Sequence, residues 1–371
     1  MVDFRKRLTE KTAGKSLDPL EIYGTLDRES DKGPLRPAQE AILSSWHSLY
    51  RDQRDLIVKL HTGQGKTLIG LLILQSKLNE GKGPALYLCA NPFLVRQTAN
   101  QAKQFGIKAV SIGADLPDEF LNSQRILITS VNRLFNGRSK FGLGSRSEHV
   151  GSIVLDDSHA CVDAIREACM IKLASHHSAY MKLRSLFSED LQAQGLGSYA
   201  DMEAGKFEAF LPVPYWAWLE RKFDVSQILS KSSDDDEIKF AWPLIKDSID
   251  QCSCVISGRF LHIEPYAPPV SLFGSFSRAE NRIFMSATVT NDAFLIKVLV
   301  LPQRQCAPLS SSTRRSGQAR RWCLFHPSWM MSSTEILSSQ NWAGRCQSVN
   351  LALWRFALVT NEQRIGKLQA Q

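Results

Sequence analysis

Apolar and polar positions along this chain fall into two alternating signatures. Short, largely apolar runs recur at 55–60, 85–90, 107–112, 125–130, 152–155 and 281–285. Runs of that length and composition predict strands buried on both faces of a parallel sheet. Between them lie stretches with helical spacing: 38–49 after Pro37, 68–74 after Thr67, the segment following Pro92, then 164–173 and 179–191. The alternation predicts an α/β fold, a central parallel sheet flanked by helices, with ligand held at the carboxyl ends of the strands. From 161 to 275 the strand signal fades. That stretch is too long for a simple link and predicts a mostly helical insertion before the last core strand.

The junction between the runs at 55–60 and 68–74 reads Leu60-His61-Thr62-Gly63-Gln64-Gly65-Lys66-Thr67. Strand, glycine loop and helix in that order, ending Gly-Lys-Thr, match the phosphate loop of P-loop NTPases. Glycines let backbone N–H groups turn onto phosphate oxygens, and the helix N-terminus adds its positive dipole end. Thr62, Gly63, Gln64, Gly65, Lys66 and Thr67 are thus the expected ATP cradle. Lys66 is expected to reach the β- and γ-phosphates, and Thr67 to ligate Mg2+. Leu60 stands where the motif has its first glycine, so only the second, Gly65, is present; Gly63 adds another inside the loop.

The run at 152–155 ends in Asp156-Asp157-Ser158-His159, about 90 residues after Lys66. A hydrophobic strand ending in Asp has the form of a Walker B element, with Asp156 on Mg2+. Arg36-Pro37-Ala38-Gln39 precedes the loop strand. Asn91-Pro92-Phe93-Leu94-Val95-Arg96-Gln97 follows the second strand, Thr129-Ser130 closes the fourth, and Ser286-Ala287-Thr288 closes the last. In this order, the set resembles the first RecA-like domain of superfamily 2 helicases of the DEAD/DEAH-box class, over residues 35–300. The resemblance implies an ATP hydrolase driven by nucleic acid. Arg36 and Gln39 would sense adenine. Pro92, Arg96, Gln97, Thr129 and Ser130 would touch single-stranded DNA or RNA. Lys66, Asp156, Asp157 and His159 would be catalytic, and Ser286, Ala287 and Thr288 would couple ATP state to grip. Departures are Phe93, where the family has Thr, and Asp157, where it has Glu. Asp is one methylene shorter, which alters the reach of the base onto the attacking water. Gln39 also reads as a solvated helix residue, and His159 as part of a capped helix start.

Composition narrows this picture. Hydrophobic residues make up 43% of the 371, ordinary for a globular chain. No run approaches the ~18 apolar residues of a membrane span, and the N-terminus lacks a signal-peptide core. The eight cysteines are scattered without C-x-x-C, which points to a reducing cytoplasm and away from zinc or iron–sulfur centres. The net charge of +8 says little about the loop domain, because residues 303–371 hold nine Lys or Arg against two acids. Residues 212–223 mix aromatics with Arg and Lys, either to stack unpaired bases or to form the insertion's own core. The glycine- and serine-rich 137–151 reads as a surface loop or a phosphate contact.

The expected organisation is an N-terminal arm (1–34), the first part of the RecA-like domain (35–160), the insertion (161–275), the last motif strand (276–302) and an atypical basic tail (303–371). The tail is expected to arise by frame shift or truncation, or else to be a genuine basic partner-binding segment. A second RecA-like domain, which would carry arginine fingers, is expected from a protein partner. This polypeptide alone is expected to turn over ATP weakly and not to unwind. The rival expectation is a non-motor module binding ATP or nucleic acid, or a degenerate fragment without turnover.

Overall fold

The computed structural model describes residues 15–61, 63–206, 208–286 and 307–310. Thr62, Ala287, Thr288, residues 1–14 and the rest of the expected tail lie outside the described residues. In chain order the strands are β1 (Asp55–Lys59), β2 (Ala85–Cys89), β3 (Ala109–Ser111), β4 (Ile126–Ser130), β5 (Ser152–Leu155), β6 (Ile171–Ala174), β7 (Phe210–Pro212), β8 (Cys252–Ser257), β9 (Phe260–Pro265), β10 (Asn281–Ser286) and β11 (Ala307–Ser310). The helices that matter below are α1 (Pro19–Thr25), α2 (Pro37–Ser45), α3 (Lys66–Asn79), α4 (Pro92–Gln104) and α5 (Ser158–Ala168).

A seven-stranded sheet in the order β11-β1-β10-β5-β2-β4-β3 forms the centre, and every pairing in it is parallel. The six strands expected from the apolar runs are all present. The seventh, β11, lies beyond residue 302 and pairs with β1. Side chains alternate between two cores, as the period of two requires. Leu56, Val58, Tyr87, Val154, Ile283 and Met285 join the core under α1, α2 and α3. Ile57, Leu86, Leu88, Ile153, Leu155 and Phe284 join the core shared with α5 and the insertion. Helix α1 belongs to the segment expected as an arm; its Ile22 and Tyr23 are buried in the first of these cores.

The insertion is mostly helical, and it also holds a four-stranded antiparallel sheet, β6-β9-β8-β7, that the helical pattern did not reveal. The helix expected over 164–173 stops at Ala168. Ile171 and Leu173 are buried while Lys172 is exposed, so this piece follows the two-residue period of a strand. The aromatic stripe at 212–223 divides. Trp218 is buried, donates its indole N–H to the Ile249 carbonyl at 2.7 Å and stacks on Phe187. Tyr215, Trp216 and Phe223 face solvent, with Trp216 70% exposed.

Candidate functional site

The carboxyl ends of β1, β10 and β5, adjacent in the sheet, bring the expected motifs together. After β1 the chain turns through Gly63 and Gly65, at φ +83° and +77°. Gly65 is the residue from which α3 starts, and the first-turn N–H groups of Lys66 and Thr67 have no acceptor within their own helix.

Two side chains from the start of α2 brace this loop. Arg36 donates from Nη1 to the Gly63 carbonyl, and Gln39 Nε2 lies 3.4 Å from the Gly65 carbonyl. Gln39 Oε1 accepts the Arg36 backbone N–H at 2.9 Å, reciprocating the bond from the Gln39 N–H to the Arg36 carbonyl. Gln39 is 5% exposed and is therefore not a solvated helix residue. A Cβ on Gly65 would stand 2.1 Å from Gln39 Nε2, so a larger residue here would push the Gln39 amide aside, besides straining the backbone at this positive φ.

Asp156 and Asp157 follow β5. The Asp156 N–H donates to the Leu88 carbonyl at 2.9 Å. Burial pushes the Asp156 carboxyl above its ordinary pKa; Tyr87 and Lys66 oppose that shift, and Asp157 adds to it. Asp157 is exposed and has φ +49°, a left-handed conformation that Asp tolerates better than most residues. From there α5 carries Ser158, whose hydroxyl donates to the Met285 carbonyl at 2.8 Å, and His159, whose Nδ1 lies 3.4 Å from Ser286 Oγ. The Ser286 carbonyl in turn accepts the Leu60 N–H at 2.9 Å. Ser286 thus touches both the root of the phosphate loop and the Asp-Asp-Ser-His turn. Arg282 at the start of β10 is clamped to buried Asp55 of β1 through Nε and Nη2, at 2.6 and 2.9 Å.

The five residues expected at nucleic acid separate by exposure. Pro92, Arg96 and Gln97 are exposed on the first turns of α4, beside Phe93, which is 66% exposed. Asn91 caps this helix by accepting the Leu94 N–H at 3.0 Å. Thr129 and Ser130 are buried, at 1% and 9% exposure, so their side chains do not form an open surface in this chain. A basic depression of about 440 Å3 lies beside β3, among Lys103, Lys108 and Arg125; none of the loop residues lines it.

Two residues near the loop were missed. Tyr87 brings the only hydroxyl in the run 85–90. Gly70 lies in the middle of α3 against its ring, where a Cβ would meet Tyr87 Cε2 at 2.9 Å. A hydroxyl inside a strand buried on both faces was the available signal. Thr67 and Asp156 offer oxygen donors of the kind Mg2+ prefers. The fully buried Tyr87 hydroxyl beside them has no hydrogen-bond partner, so a polar group at this place suits the residues present. Among the described residues, no group of three or more His, Cys, Asp or Glu could hold a metal ion by itself. No described helix is long and apolar enough to cross a membrane.

No curated protein sequence matches this chain. Solved structures with a similar course include "XPD_Helicase" (13% identity, 76% of this chain and 63% of that one, TM-score 0.45). They also include "XPD_APO" (15%, 74% and 57%, TM-score 0.41) and "Structure of S. tokodaii Xpd4" (14%, 74% and 60%, TM-score 0.45). The chain thus spans less than two thirds of the length of each. Residues 32–187, which contain the phosphate loop, α4 and the Asp-Asp-Ser-His turn, match the family described as "Type III restriction enzyme, res subunit". Residues 32–187 therefore form a helicase-family domain of that description, consistent with the first RecA-like domain of a superfamily 2 helicase.

Proposed function

We propose that this chain is the ATP-binding motor domain of a DEAD/DEAH-type helicase, coupling ATP hydrolysis to a grip on single-stranded nucleic acid. The observation that carries the reading is the position of Ser286. Its carbonyl holds the Leu60 N–H and its hydroxyl faces His159, so a shift at either end of the ATP site strains the other through one residue.

In this reading the N–H groups of Gly63 to Thr67 cradle the phosphates, and Lys66 neutralises the β- and γ-oxygens. Thr67 and Asp156 would hold Mg2+, which would supply charge stabilisation to the transferring phosphoryl group. Asp157 takes a proton from the attacking water on its carboxylate, from an exposed position at the entrance of α5. Arg36 and Gln39 brace the loop through the Gly63 and Gly65 carbonyls, which leaves the loop's N–H groups to the phosphates, and the Gln39 amide would turn from the Gly65 carbonyl to adenine when nucleotide binds. Ser286, Ala287 and Thr288 pass the ATP state to Pro92, Arg96 and Gln97 at the head of α4. Arginine fingers are assigned to a second RecA-like domain. The five described free cysteines are buried, which suits a reducing compartment such as the cytoplasm.

The test is Mg-ATP hydrolysis with and without single-stranded DNA and RNA, with Lys66→Ala as control. Stimulation by one nucleic acid, abolished in the control, is the expected result. ATP binding that depends on Lys66 without any turnover would favour a half-motor that lacks its second RecA-like domain. Neither binding nor turnover would overturn both.

A further inference from the structure

The parity of the strands puts an uncharged hydroxyl beside Asp156 and Thr67, the proposed magnesium ligands. Tyr87 of β2 pairs with Val154 of β5, and both point into the core beneath α3 together with Met285. Asp156 follows Val154 by two residues and therefore turns to the same side. The Tyr87 ring runs below α3 at Gly70, where any Cβ would meet Cε2 at 2.9 Å and Met285 Sδ at 2.9 Å. Glycine inside a helix is unfavourable relative to alanine, and here it makes room for this ring. The ring carries its hydroxyl to the first turn of α3, where its polar neighbours are Asp156 and Thr67. Neither meets the geometry of a hydrogen bond with it, and the hydroxyl is fully buried and unpaired. An unpaired buried hydroxyl is costly, and phenylalanine would fill the same slot without that cost.

We infer that Tyr87 is a positioning residue for the magnesium–nucleotide site: its hydroxyl donates to the Asp156 carboxylate when that group turns toward bound metal, and fixes its orientation. This rests on the proposed reading of residues 61–67 and 156 as an ATP site. The hydroxyl is fully buried beside Asp156, so it acts through that carboxylate and not on the phosphates. Groups that orient a metal-binding carboxylate in this way typically change metal affinity about 10–100-fold when removed.

The experiment compares the full chain with Tyr87→Phe, which keeps the ring in its slot. Binding of a non-hydrolysable ATP analogue is titrated in Mg2+ and in EDTA, and melting of the ligand-free protein is followed alongside. The inference expects affinity in Mg2+ to fall about tenfold, affinity in EDTA to stay unchanged, and the melting temperature to hold or rise. Equal affinities of the two proteins in Mg2+ would overturn it. A lower melting temperature for Tyr87→Phe would also overturn it, because the hydroxyl would then have a structural partner in the free protein. If the wild type shows no analogue binding that depends on Lys66, the ATP-site reading itself fails and takes this inference with it.

Discussion

Gly65 is the residue on which the loop's shape depends. Its φ of +77° suits a residue without a Cβ, and Gln39 Nε2 already occupies the space a Cβ would need. Gly65→Ala is expected to cost about 1–2 kcal/mol in denaturant unfolding and to weaken nucleotide binding, because alanine is strained at this φ and the Gln39 amide must swing out of its place. Asp157 differs in kind. Its φ of +49° is one that Asn also tolerates. Asp157→Asn is therefore expected to leave the unfolding midpoint unchanged. If Asp157 is the base, the same change lowers nucleic-acid-stimulated turnover by roughly 10²–10⁴, which steady-state kinetics would read directly. A variant with full turnover would remove Asp157 from the mechanism.

Among elements, β10 bears the most. It enters through the buried Arg282–Asp55 pair and leaves at Ser286, beside the loop and α5. Breaking a buried pair by removing one partner leaves an uncompensated charge, so Asp55→Ala is expected to cost about 3–5 kcal/mol in urea unfolding. Asp55→Leu with Arg282→Met should recover most of that loss, since both charges go together. The segment 215–223 separates packing from contact. Trp218→Ala is expected to destabilise by about 3–5 kcal/mol, because it empties a place between Phe187 and the Ile249 carbonyl. Trp216→Ser removes a side chain that faces water and should change stability by less than about 0.5 kcal/mol. If that surface stacks on bases, the same variant will weaken single-strand binding in a fluorescence titration by about 1–3 kcal/mol; equal binding would return the exposed aromatics to a purely surface role.

Across the whole molecule, the loop domain is tied together at some distance from the loop by a charged cluster around Glu80. Arg51 Nη2, Lys77 Nζ and Lys82 Nζ reach its carboxylate at 2.9, 3.1 and 3.1 Å, joining the segment after α2, the end of α3 and the turn into β2. Burial pushes the Glu80 carboxyl up, but these three hydrogen bonds outweigh it and hold the pKa at about 2, below the 4.5 of a free side chain. Because the folded value is the lower one, its contribution is complete above about pH 4.5 and fades as pH falls toward 2. Glu80→Gln is expected to flatten that part of the acid-unfolding curve. Local sequence alone determined six of the seven strands of the parallel sheet, the glycine turn and the start of α3, because residue period and positive φ are properties of neighbouring positions. It also carried the order of the motifs, and so the resemblance that the match over 32–187 bears out. Tertiary structure decided what required residues far apart to meet. It set Gln39 against Gly65, Asp55 against Arg282, β6 beside β9, and the Tyr87 hydroxyl near Asp156. The physical reason is register: a strand's own pattern says which side chains face inward, but only its pairing with another strand says what each of them will touch.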